Sequence, residues 1–194
     1  MNESQNPISV YIIIVRILII PRRCRETIAD VKQKYETIPL NSTQAQGYKE
    51  VKMAWLDITQ CGYSEAPAVK GVYERKQTPG WTSKIEGKLL YATGHVHDGG
   101  THTAIYRRRN GKVKNLCESH SRYGGRPGYT GLDGMEHISA VSFCDFSSDD
   151  SLKVGDVFYV GAFYNTTAHM LMEAPGKNKK LEPIMGISRI YIGT

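Results

Sequence analysis

From Val51 onward, apolar residues come in short runs that alternate with polar ones at every second position, the period of a half-buried β-strand. Val51 to Ile58 sets Val51, Met53 and Trp55 against lysine and alanine, and Glu86 to His97 is the next such run. Thr101 to Arg108 alternates His102, Ala104 and Tyr106 against Thr103, Ile105 and Arg107. Asn110-Gly111 then leads into Lys112 to Glu118, and Asn-Gly between two such runs predicts a two-residue hairpin. His137 to Cys144, Val157 to Tyr164 and Pro183 to Ile192 follow, the last with Met185, Ile187, Arg189 and Tyr191 on one face. Ile8 to Ile20 is almost wholly apolar and rich in β-branched residues. It is too short to span a bilayer and is broken by Arg16, so it reads as a buried strand. No basic residue precedes it and no small-residue cleavage site follows, which sets it apart from a leader.

The intervals read as turns and loops. Thr27 to Glu36 has helical spacing at Ile28, Val31 and Tyr35. The stretch from Cys61 to Trp81 carries prolines and reads as a long surface loop. Tyr123-Gly124-Gly125-Arg126-Pro127-Gly128-Tyr129, continuing to Gly134, is a glycine-rich loop of a length that often serves function. Seven to nine short strands separated by turns predict an all-β fold, an antiparallel β-sandwich or jelly roll, in one domain spanning 1–194.

The net charge of +6 changes this picture little. Its clusters are short: Arg22-Arg23-Cys24-Arg25, Arg107-Arg108-Arg109 and Lys177-Asn178-Lys179-Lys180. They read as solvated turns, with no aromatic stacking platform interleaved and hence no nucleic-acid partner. The four cysteines, Cys24, Cys61, Cys117 and Cys144, show no C-x-x-C spacing. They allow two disulfides in three connectivities, of which we take Cys117–Cys144 and Cys24–Cys61. Sequons stand at Asn2, Asn41 and Asn165. Sequons beside paired cysteines suggest the secretory route and an extracellular protein.

The chemistry gathers at Gly94-His95-Val96-His97-Asp98-Gly99-Gly100. On a strand His95 and His97 project to the same face, with Tyr91 and Leu89 further back on it. Two parallel imidazoles could grip a metal, floor a pocket, or sit as two surface histidines. Asp98 is a candidate acceptor for an imidazole N–H, or a turn former before Gly99. His102, His120, His137 and His169 are further candidate ligands or acid–base groups, or surface residues.

Gly94-His95-Val96-His97-Asp98-Gly99-Gly100, Val154-Gly155-Asp156, Phe163-Tyr164-Asn165 and Pro183-Ile184-Met185-Gly186-Ile187 resemble the stress-up-regulated nodulin family and its secreted fungal relatives. The resemblance runs from about Trp55 to the C-terminus. Their order also resembles, remotely, the second copper domain of peptidylglycine α-hydroxylating monooxygenase. That resemblance implies copper held by His95, His97 and Met185. Two imidazoles with a thioether suit Cu(I), and the absence of carboxylate partners argues against calcium. The monooxygenase also needs a second copper, held by three histidines of a preceding domain; here the first histidine is His95. Two-copper amidation is therefore not supported.

Three functions stay open. The first is a secreted copper protein with oxidative activity. The second is a metal-free cyclase or pericyclase of secondary metabolism. There Tyr91, Tyr106, Trp81 and the glycine loop would wall a pocket, and His95, His97 and Arg122 would orient a small-molecule substrate. The third is a non-catalytic extracellular binding domain. No membrane span is expected, and the oligomeric state is left open.

Overall fold

The computed structural model describes residues 36–38, 48, 50–59, 65–76, 80–125, 134–146, 150–173 and 180–194, all within the compact unit Val31–Thr194. The strand expected at Ile8–Ile20, Cys24, Cys61, Asn2, Asn41 and most of the glycine loop lie outside the described residues. So does the helix expected at Thr27–Glu36, except that Glu36 opens a strand.

The described elements are strands only. In chain order they are β1 (Glu36–Ile38), β2 (Val51–Asp57), β3 (Val72–Lys76), β4 (Trp81–Thr82), β5 (Gly87–Val96) and β6 (Gly100–Arg109). They continue as β7 (Lys112–Tyr123), β8 (Ile138–Val141), β9 (Phe143–Asp145), β10 (Ser151–Leu152), β11 (Val157–Asn165) and β12 (Gly186–Gly193). Two antiparallel sheets pack as a sandwich. The front sheet has the order β1-β2-β12-β5-β10, with β9 also on β5. The back sheet has the order β3-β11-β6-β7-β8, with β4 also on β11. No helix among the described residues is long and apolar enough to cross a membrane.

The alternation read from the sequence decides which side chains fill the space between the sheets. Leu56, Leu89, Ala92, Ile190 and Ile192 from the front meet Ile105, Cys117, Phe158 and Val160 from the back. Burying each large apolar side chain is worth about 1.5–3 kcal/mol. Asn110 and Gly111 both have positive φ, 50° and 75°, so the β6–β7 hairpin turns as Asn-Gly predicts.

Several expectations need correction. Leu89 does not share the face of His95 and Tyr91. The β5–β12 register shifts between Tyr191 and Ile192, and that bulge turns Leu89 into the core. The run 61–81 contains β3 and β4; β3 is nearly all exposed, so it carries no alternation to read. The run 137–144 breaks at Ser142, leaving β8 on the back sheet and β9 on the front. Arg107-Arg108-Arg109 is no simple solvated turn. Arg107 Nη1 donates to Ser151 O at 2.9 Å, and Arg109 clasps the buried carboxylate of Asp156 through Nε (2.6 Å) and Nη2 (2.5 Å). Asp156 also accepts from the Lys153 amide at 2.9 Å. Val154-Gly155-Asp156 is therefore a structural turn, with Gly155 at φ 87°.

Cys117–Cys144 forms as expected and ties β7 of the back sheet to β9 of the front across 27 residues of chain. Closing a loop of that length stabilises by about 3–4 kcal/mol in the chain-entropy account.

Candidate metal centre

β5 runs between β12 and β9, and its outward face carries Tyr91, Thr93 and His95, with His97 just past its end. The inward residue between the last of these, Gly94, marks a close approach of the two sheets. A Cβ there would lie 1.9 Å from Thr103 Oγ1 and 3.0 Å from Ser119 Cβ. Its amide donates to Ser119 Oγ at 2.9 Å, and Ser188 Oγ donates to Thr103 Oγ1 at 3.2 Å, so the strand is held from behind by short polar side chains. After His97 the chain turns tightly, with Gly100 N donating to His97 O at 2.9 Å and Gly99 at φ 87°, and enters the back sheet as β6.

The two imidazoles stand edge to face, ring centroids 5.5 Å apart. His97 Nδ1 lies 3.0 Å from the Pro183 carbonyl oxygen and 3.3 Å from a Glu182 carboxylate oxygen. A carbonyl can only accept, so the Nδ1 carries a proton in this contact and Nε2 is the ring nitrogen that Pro183 leaves free. This is the arrangement metal-ligating histidines adopt. Among the described residues no hydrogen bond engages the His95 ring. Burial, then the positive charge of His97 and Arg189, pushes its pKa down to about 4, which leaves it neutral at physiological pH. The residue nonetheless keeps a solvent-exposed surface.

Met185 comes to this face through β12. Gly186 pairs with Val96, so one step further out along both strands Met185 stands opposite His97. The alternation agrees: Ile184 is buried at 1% exposure while Met185 is half-buried. A single side chain locks the two. The hydroxyl of Tyr164, itself buried, accepts from the amides of His97 (3.2 Å) and Met185 (2.9 Å) and donates to Met185 O (2.5 Å). Burial pushes the Tyr164 phenol up to about 12 against the lowering effect of those amides, so it keeps its proton.

The remaining sequence candidates are elsewhere. Asp98 does accept from an imidazole side, but from neither member of the pair: His137 Nδ1 lies 2.5 Å from Asp98 Oδ2, and the Ile138 amide donates to Oδ1 at 3.0 Å. His102 and His120 face each other across β6 and β7 on the outer side of the back sheet, with His102 stacked on Phe163 at 4.2 Å. His169 stacks on Tyr123 at 3.6 Å. Arg122 is exposed on β7, out of phase with the inward residues Cys117 and Ser119, so it faces outward from the back sheet. Among the described residues, the side chains expected to wall a metal-free pocket do not share a face. Tyr91 faces out of the front sheet, Tyr106 out of the back sheet, and Trp81 lies in the core. The reason is that the Gly99-Gly100 turn joins strands of different sheets, so residues near in sequence point in opposite directions.

The sequence placed Tyr164 and Pro183 in motifs of the resemblance without assigning either a role, and gave no signal for Glu182.

Among the described residues no group of three or more His, Cys, Asp or Glu side chains gathers to hold a metal.

The chain is 31% identical over 138 residues to the probable copper-dependent oxygenase M1 of Phoma sp.. The match covers 71% of this chain and 33% of that protein, so the chain spans about a third of the relative's length. No protein-family model matches the chain. The similarity fits a copper-oxygenase-like relationship, and no comparison supports the nodulin family.

Proposed function

We propose that this chain is the copper-holding β-sandwich of a secreted oxidative enzyme, with His95, His97 and Met185 as the protein ligands. What carries the reading is Tyr164, whose hydroxyl fastens the backbone of His97 to that of Met185. Copper bound there would supply one-electron redox chemistry, and the thioether favours its cuprous state. The chain's own contributions are positional. Pro183 O holds the proton on His97 Nδ1, burial keeps His95 neutral, and the tight polar seam behind Gly94 fixes the strand that carries both. Because the chain spans a third of the relative, the substrate and the overall reaction are part of this proposal. The Cys117–Cys144 disulfide is compatible with an extracellular site of action.

The test is elemental analysis after Cu(I) loading and desalting. About one copper per chain is expected, reduced at least tenfold in His95→Ala, in line with the loss of a ligand. A wild-type chain that retains no copper refutes the reading.

A further inference from the structure

The outer face of the front sheet carries a second arrangement beside the histidine pair. Trp55, Arg189, Thr93 and Phe143 stand directly opposite one another on β2, β12, β5 and β9, forming one row across four strands. The two ends of the row are exposed aromatics, Trp55 at 46% and Phe143 at 56%. Between them Thr93 is the short side chain, a low point in the row that the Tyr91 hydroxyl reaches by a hydrogen bond. Tyr91 closes one side of this low point, packed against Phe143 at 5.1 Å. His95 closes the other, two residues along β5 from Thr93, a rise of about 7 Å.

Arg189 is the cation in this row. Its guanidinium lies over the Trp55 ring, 5.6 Å from the centroid. Among the described residues no carboxylate pairs with it and no hydrogen bond holds it. The neighbouring rows hold Asp57, which is occupied by Thr59, and Asp145, which has partners of its own. A guanidinium presents two parallel N–H donors that match one carboxylate. A dianionic phosphate would leave one charge uncompensated there.

We propose that this row is a seat for a flat aromatic carboxylate, its anion on Arg189 and its ring beside Thr93, against the exposed edge of the packed Phe143–Tyr91 pair. This assigns the substrate class of the copper site proposed above and rests on that reading for its catalytic meaning, while binding itself does not need the metal. A ligand so placed has one edge against His95.

The test is an NMR titration of the full-length, metal-free chain at physiological salt, following the indole N–H of Trp55. With two tryptophans in the chain, Trp55→Phe assigns that signal. The probes are 2-naphthoate and its neutral counterpart 2-naphthylmethanol. At least tenfold tighter binding of the carboxylate is expected, reduced to parity in Arg189→Gln and partly restored in Arg189→Lys, with copper loading unchanged in both. Equal binding of the two probes to the wild type, or a preference that survives Arg189→Gln in a folded variant, overturns the proposal. A carboxylate preference in a chain that retains no copper upholds the seat and refutes the copper reading instead.

Discussion

Tyr164→Phe removes one oxygen atom and three hydrogen bonds. The wild-type hydroxyl serves the His97 amide, the Met185 amide and the Met185 carbonyl, and the side chain is 1% exposed. Each such bond contributes about 0.5–1.5 kcal/mol net, and a buried group left without a partner costs about 1–3 kcal/mol. Three groups give an expected loss of about 3 kcal/mol. For a chain of this size each kcal/mol moves Tm by roughly 2–4 °C, so the expected drop is about 6–12 °C. Tyr159→Phe is the control, since that ring stacks on Tyr106 on the outer face of the back sheet. Thermal unfolding of the metal-free proteins reads the stability. Competition against a chromophoric Cu(I) chelator reads the site, where affinity is expected to fall about tenfold as His97 and Met185 lose their common anchor. A Tm within about 1 °C of wild type would refute the energetic argument. A large Tm loss with unchanged Cu(I) affinity would show that Tyr164 supports the fold and not the ligands.

Two further outcomes follow from the same geometry. Gly94→Ala drives a Cβ into Thr103 Oγ1 and Ser119, so it is expected to cost about 1–3 kcal/mol by overpacking and to weaken copper binding; an unaltered denaturant midpoint would contradict this. Asp156→Asn breaks the clasp with Arg109. Burial alone would raise the Asp156 carboxyl, but the Arg109 guanidinium and the Lys153 amide outweigh it and hold the pKa below its ordinary value. A lowered folded-state pKa stabilises above the unfolded value of about 3.9 and loses that stabilisation as pH falls through the folded value. The wild-type advantage in urea melts, about 2–3 kcal/mol, is therefore expected to be flat from pH 5 to 8 and to shrink below about pH 4. An advantage that persists undiminished at pH 2 would count against the assignment.

Local alternation sufficed for much of this protein. The period of two in Val51–Ile58, Glu86–His97, Thr101–Arg108 and Val157–Tyr164 fixed their state as strands, because one buried face forces that pattern. Asn110-Gly111 fixed its own hairpin through backbone preference, and His95 and His97 share a face because strand geometry leaves no other choice. What alternation cannot carry is partner choice. Met185 meets His97 only because β12 pairs with β5 in one register, with some ninety residues between them. Asp98 turned to His137 because β8 packs beside the Gly99-Gly100 turn. Leu89 left the site face through a one-residue bulge, and Tyr106 and Arg122 went to the far side because that turn changes sheets. Arg189 over Trp55 is likewise a cross-strand pair, set by the β2–β12 register and invisible to any local window. The histidine pair was local chemistry; its third donor, its anchor and its neighbouring cation are products of long-range pairing.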